Sequence, residues 1–67
     1  MLANRLKAKI IERGFSIADV ARQIGLHPAT FWRKCKGISN FTLKEIKAIK
    51  ELLNLTEAET KYIFFDE

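Results

Sequence analysis

The residues of this chain whose types could do chemistry are concentrated between positions 27 and 40, and many of them are cationic. Arg33, Lys34 and Lys36 follow Trp32, and hydroxyl and amide side chains come after them. Lysine and arginine side chains that neutralise phosphates release counterions and gain salt-dependent affinity for nucleic acid. The pattern is compatible with binding of a polyanion, but a charged helix face that is simply solvated has the same pattern, so charge alone does not decide between them.

The same residues do not form a catalytic or metal-binding set. His27 is the single histidine and Cys35 the single cysteine of the chain. A disulfide needs a second cysteine, a metal cluster needs several soft or imidazole ligands, and nucleotide sites use a glycine-rich loop that is missing here. We therefore expect no enzyme activity and no cofactor, and we interpret Cys35 as a small buried residue.

Length, composition and charge predict one small, charged domain. With 67 residues, 48% of them hydrophobic and 30% charged, the chain can build one core and is too apolar for a disordered tail. Residues 1–50 hold eleven Lys or Arg against three acids, net +8, and residues 51–67 hold one lysine against five acids, net −4. Charges interrupt every apolar stretch near the N-terminus, so we expect no signal peptide, no membrane span and a cytoplasmic protein.

Apolar spacing predicts an all-α fold. Apolar residues recur at helical spacing in each segment, and no segment alternates with the period of two that strands require. The predicted helices cover residues 2–13, 16–24, 28–36, 42–54 and 56–65. On the fourth helix the residues predicted to face inward are Leu43, Ile46, Ile49, Leu52 and Leu53.

Local signals mark where these helices begin and end. Three pairs have the spacing of capping boxes: Ser16 with Asp19, Thr42 with Glu45, and Thr56 with Glu59. Three glycines follow helices as left-handed stops: Gly14, Gly25 and Gly37. Pro28 suits the first turn of the third helix, where its missing N–H is not needed, and His27 is a mediocre cap in front of it.

The second and third helices are joined by a turn of only one or two residues. Gly25 can adopt the positive φ that such a corner requires, and Ala21 is small where two crossing helices approach. Leu26 and Phe31 supply the apolar side chains needed just after the turn and on the inner face of the following helix.

In these residues the stretch from Ser16 to Gly37 resembles the phage Cro and repressor (XRE-like) family of helix-turn-helix proteins. The resemblance implies a compact five-helix, lambda-repressor-like domain over residues 1–67, with the motif at about residues 16–36. It further implies a transcriptional regulator that binds duplex DNA sequence-specifically, a Cro-like repressor of phage or prophage that occupies an operator in a bacterial cell. The implied partners are the double-stranded operator and a second copy, at least on DNA.

An alternative function stays open on the same fold. An antirepressor or modulator would bind a partner repressor instead of an operator. Pro28 and Ala29 stand where polar reading residues would be expected, which favours this alternative, whereas the basic residues after them favour DNA.

The resemblance implies that the third helix enters the major groove and reads base edges. Arg33 is the strongest candidate because its guanidinium can pair with both acceptors of a guanine. Trp32 either packs over the second helix or faces DNA. The full set of implied base-reading residues is His27, Pro28, Ala29, Thr30, Trp32 and Arg33.

Implied phosphate contacts come from the start of the second helix and from the loop after the third. They are Ser16, Lys34, Lys36, Ser39, Asn40 and Thr42. Two positions depart from the family pattern, because Ile17 stands where many members have Gln and Lys34 where many have an aliphatic residue. The second departure predicts that the third helix packs through Phe31 and Cys35.

The last apolar run, from Tyr62 to Phe65, exceeds what one narrow helix face can bury. We expect part of it to cover the core. The remainder either packs as an ordinary C-terminus or forms a two-fold dimer contact through Tyr62, Phe64 and Phe65.

Overall fold

The computed structural model describes residues 2–65 of the chain. In this range the fold is all-α, as predicted. The α-helices are α1 (Leu2–Glu12), α2 (Ile17–Gln23), α3 (Pro28–Cys35), α4 (Leu43–Leu53) and α5 (Glu57–Thr60). The chain continues from α5 directly into one π-helical turn, Lys61–Phe65, within the segment predicted as the last helix.

The helices begin where the sequence predicts. In each of the three capping boxes the cap hydroxyl accepts an N–H three residues on, and the acid at that position accepts the N–H of the cap, at 2.9 to 3.1 Å. His27 caps α3 by accepting the N–H of Ala29 on Nδ1 at 3.1 Å, and Pro28 occupies the first helical position.

The first four helices also end in one common way. A left-handed residue follows each of them, and the next N–H reaches back to a carbonyl five residues earlier, which is the Schellman motif. Three of the left-handed residues are the glycines that the sequence singles out, with φ between +82° and +85°. The fourth is Asn54, with φ of +53°, which ends α4.

The core is built around Phe31. This side chain is the largest of those that are fully buried, and the others come from α1, α2 and α4. Phe41, in the loop before α4, packs edge-on against Phe31 with ring centroids 5.6 Å apart, and Phe64 packs edge-on against Phe41 at the same distance. Complete burial of one such side chain stabilises the fold by roughly 1.5–3 kcal/mol.

The prediction that Leu43 faces inward is wrong. Its side chain is 78% exposed, whereas Ile49 and Leu53 on the same helix are buried. Leu43 is the first residue of α4, ahead of the part of the helix that covers the core. Leu55, just after the helix, is buried instead.

The C-terminal apolar run divides between core and surface. Ile63 is buried and Phe64 is half-buried against Phe41, so part of the run covers the core as expected. Tyr62 and Phe65 are 52% and 57% exposed.

Hydrogen bonds between polar side chains connect the N-terminal part of the chain to α5. The Glu59 carboxylate accepts hydrogen bonds from Lys9 Nζ at 2.8 Å and from Arg13 at 3.4 Å, and it also closes the capping box of α5. The hydrogen bond from Lys9, the backbone N–H of Thr56 and the two cationic charges lower the pKa of Glu59 to about 2.

We expect Phe31→Ala to lower the free energy of unfolding by about 3–5 kcal/mol, because it removes the central core side chain and leaves a cavity. Leu43→Ala is the matched control, and a change within about 0.5 kcal/mol is expected for it because the leucine is exposed. Urea unfolding followed by circular dichroism measures both, and similar losses for the two variants would contradict this core.

We expect Glu59→Gln to lower the free energy of unfolding at neutral pH and to have less effect as the pH becomes acidic. The folded-state pKa of Glu59 is depressed, so its contribution is present above the ordinary value of 4.5 and is lost as pH falls towards about 2. The urea midpoint of the natural chain should exceed that of the variant at neutral pH, and the difference should close over this range. A difference that is independent of pH would contradict the assignment.

Candidate nucleic-acid interface

The turn between α2 and α3 fixes how the two helices cross. Gly25 has φ of +82°, and its N–H donates to the Arg22 carbonyl at 3.1 Å while the next N–H, of Leu26, donates to the Ala21 carbonyl at 2.8 Å. Ala21 is fully buried, as expected for a small residue at a close helix crossing. The predicted tight corner is present.

Helix α3 is held by its inner face. Phe31 and Cys35, four residues apart, are both buried, and the helix packs against α1 and α2. Burial raises the pKa of the Cys35 thiol to about 11, so the thiol stays protonated at neutral pH and acts as a packing residue. The prediction that α3 packs through these two residues is confirmed.

The outer face of α3 carries Ala29 and Arg33, and Lys36 follows as the C-cap of the helix; the three are spaced at four and three residues and all are exposed. Within residues 2–65, no hydrogen bond or ion pair engages the Arg33 guanidinium. Its five donors therefore point into solvent from a helix that is fixed on its opposite side. This geometry suits a planar acceptor such as a base edge or a phosphate.

The remaining residues of the implied base-reading set lie in or beside the first turn of α3. His27 is exposed, and its Nδ1 is occupied in capping the helix. Pro28 and Thr30 are half-buried. The first turn therefore presents less polar surface than the set of residue types alone indicates.

Trp32 lies between the core and the surface. It is half-buried and packs against the buried cluster, and the ammonium of Lys36 lies 5.8 Å from its ring centroid. A cation at that distance from an indole is within the range of a cation–π interaction. The packing contact of Trp32 is therefore present, and contact of the exposed part of its ring with DNA stays a prediction.

Four of the implied phosphate contacts are exposed polar side chains: Ser16, Ser39, Asn40 and Thr42. Ser16 and Thr42 each use the hydroxyl oxygen to accept a helix N–H. Because a hydroxyl can also donate, each keeps its proton for an anion.

Lys34 differs from this group. Its side chain is only 14% exposed, and Nζ lies 2.7 and 3.0 Å from the two carboxylate oxygens of Glu45, which is 16% exposed. Burial raises the pKa of Glu45, but the hydrogen bonds from Lys34 and from the capping residue Thr42 outweigh it, and the net direction is downward. The implied phosphate contact thus has a partner inside the protein.

This ion pair was not predicted from the sequence, although each of its two residues has a feature in the sequence that points to a special environment. Lys34 stands where the family pattern commonly has an aliphatic residue, which indicates a partly buried position, and Glu45 is the acid of a predicted capping box. Their separation of eleven residues across a loop is not a spacing that local rules connect.

Comparison with known protein families identifies the family to which this fold belongs. The sequence model of the Cro/C1-type HTH DNA-binding domain matches residues 5–59, which include all of α2, α3 and α4. The chain belongs to this family and is a helix-turn-helix DNA-binding domain. No curated protein and no solved structure is significantly similar to it.

Two further findings concern residues 2–65. None of their helices has the length and apolar character needed to cross a bilayer. Nowhere in the same range do three or more metal-ligating side chains come together.

Proposed function

We propose that this chain is a sequence-specific transcriptional regulator that represses by occupying a duplex DNA operator, in the manner of Cro. The proposal rests on the position and exposure of Arg33. It projects, exposed and unengaged within the described range, from a helix whose other face is locked into the core by Phe31 and Cys35. A reading side chain needs this combination of a rigid base and a free polar end.

In the proposed complex α3 lies in the major groove and Arg33 reads a guanine through its O6 and N7 acceptors. His27 and Thr30 have polar atoms for a base edge or a phosphate. Pro28 and Ala29 offer apolar contact, for which the methyl group of thymine is the matching feature.

Phosphate contacts fix the register of such a domain on DNA. We assign them to Lys36, Ser39 and Asn40 in and beside the loop after α3, and to the two cap hydroxyls at Ser16 and Thr42. Lys34 is left out of this assignment because its ammonium is bound to Glu45.

Dimerisation on the operator is the second part of the proposal. Tyr62 and Phe65 are exposed aromatic side chains on the π-helical turn, whereas Phe64 is committed to the core by its contact with Phe41. A two-fold contact through Tyr62 and Phe65 would allow two copies to read half-sites about 34–36 Å apart, one turn of DNA. Such a regulator of a phage or prophage would act in the cytoplasm of a bacterial cell.

One observation favours a second candidate function. The first turn of α3 places Pro28 and Ala29 where a DNA-reading helix commonly has polar side chains. A modulator that binds a partner repressor would use this less polar surface for protein contact. It would show no preference among DNA sequences.

The test uses duplexes that the protein enriches from a random pool at near-physiological salt, where non-specific attraction is weak. We expect Arg33→Ala to cost about 1–3 kcal/mol on the enriched duplex and to relax the choice at one base pair. Lys36→Ala should weaken binding to all duplexes alike and lower the salt slope by about 1. Lys61→Ala, on the exposed π-helical turn, is the control for loss of one positive charge.

Binding is measured by fluorescence anisotropy on the enriched duplex, on single-base variants of it and on a random duplex. An Arg33→Ala protein that keeps the discrimination of the natural chain would contradict the base-reading assignment. Failure of the natural chain to enrich any sequence would contradict the proposed regulator and favour the modulator.

A further inference from the structure

We propose that the Lys34–Glu45 ion pair sets the position of the phosphate-binding loop, residues 36–42, relative to the recognition helix α3, which makes Glu45 a positioning residue for DNA binding. The inference rests on the proposed function. It assigns a role to an acidic residue in a part of the molecule where phosphates would bind.

This pair is the most shielded ion pair of residues 2–65, followed by Lys9–Glu59, whose side chains are 19% and 28% exposed. Lys34 and Glu45 are 14% and 16% exposed, whereas the partners of the Arg22–Asp19 pair are 66% and 46% exposed. Two close N–O distances, of 2.7 and 3.0 Å, hold the ammonium against both carboxylate oxygens. A pair so shielded is screened less by salt than an exposed pair, and loss of one partner leaves the other uncompensated.

The pair connects the two ends of the loop to one residue of α3. At the first end, the Lys34 carbonyl accepts the N–H of Gly37 at 3.1 Å. At the second end, the Lys34 ammonium binds Glu45, whose carboxylate accepts the N–H of Thr42 at 2.9 Å. Lys34 thus holds the start of the loop through its backbone and the end of the loop through its side chain.

Besides the packing of Phe41 on Phe31, the Lys34–Glu45 pair ties α3 directly to the start of α4. Helix α3 packs against α1 and α2, and α4 packs against α2. The two helices that flank the loop therefore share α2 as a packing partner. The loop itself contains the exposed residues Ser39 and Asn40. A direct tie between α3 and the start of α4 restricts how far these residues can shift relative to α3.

The tie matters for specificity more than for affinity. Base contacts from α3 and phosphate contacts from the loop must form in one register, because phosphate contacts position the domain and base contacts select the sequence. A looser loop still attracts any duplex by its charge. It no longer fixes α3 at the position in the groove from which its side chains distinguish a correct base from an incorrect one.

Charge offers the competing explanation, and it makes the opposite prediction. If Lys34 contacts phosphate directly, Glu45 opposes binding and its neutralisation strengthens affinity for every duplex. If the pair positions the loop, neutralisation of Glu45 weakens discrimination although it removes a negative charge. Glu45→Gln separates the two, since glutamine keeps an oxygen that can accept the N–H of Thr42.

The experiment compares Glu45→Gln, Lys34→Met and the double variant with the natural chain on the enriched and random duplexes over a range of salt concentrations. We expect each single variant to lower the ratio of specific to random affinity about tenfold, comparable to the lower limit for one bidentate base contact. The double variant should lose no more than a single variant, because both remove the same interaction. Glu59→Gln is the matched control, as it neutralises the capping acid of α5 away from α3.

Two outcomes overturn the proposal on DNA. Tighter binding of Glu45→Gln to all duplexes, with a salt slope lowered by about 1 in Lys34→Met, would assign Lys34 to phosphate instead. An unchanged affinity ratio in both single variants would reduce the pair to a structural role.

Amide hydrogen exchange of the free proteins separates this proposal from the proposed function. If the natural chain discriminates no sequence, the proposed function fails, but the tie is still tested. Amides of residues 37–45 should then exchange faster in Glu45→Gln and Lys34→Met than in the natural chain, and also faster than in Glu59→Gln, whose lower stability accelerates exchange only through global unfolding. Equal protection of this segment in all four proteins would overturn the tie.

Discussion

Burial of Phe31 is the interaction on which the rest of the structure depends. Helix α3 has eight residues, and even the longest helices within residues 2–65 have eleven, whereas isolated helices shorter than about 12–15 residues are marginal in water. Each helix is therefore helical because it is packed. Phe31 is the side chain through which α3 enters the common core, and Phe41 and Phe64 extend that contact to the loop and the C-terminal turn.

The capping boxes make a second contribution beyond starting helices. Asp19, Glu45 and Glu59 each accept the N–H of a cap residue and also bind a basic side chain. For Glu45 and Glu59 the basic partner lies on another helix, so one carboxylate both begins a helix and ties it to a neighbour. Such ties add polar specificity to a core that is small because the domain is small.

Local rules account for most of the fold. Capping boxes at Ser16, Thr42 and Thr56 and the turn at Gly25 depend on residues close in sequence, and all four are found where their spacing predicts them. All four features lie within residues 5–59, the range that the family model matches.

Predictions from the sequence were wrong or absent where the environment of a residue depends on residues that are distant in sequence. Leu43 fits the apolar stripe of α4, but whether a stripe position is covered depends on the neighbouring elements, and this one is 78% exposed. Lys34 looks like a free cation until α4 places Glu45 beside it. Phe41 lies in a loop with no periodicity, and only the folded chain shows that it bridges two core rings.

We propose that the outer face of α3 and the loop after it form the surface that binds DNA. The most direct test is a two-dimensional NMR titration of the labelled protein with its enriched duplex at near-physiological salt. We expect the amide signals of residues 27–33 and 36–42 to shift most and those of α1 and α5 to shift little. Shifts concentrated on α1 and the π-helical turn, with α3 unaffected, would contradict it.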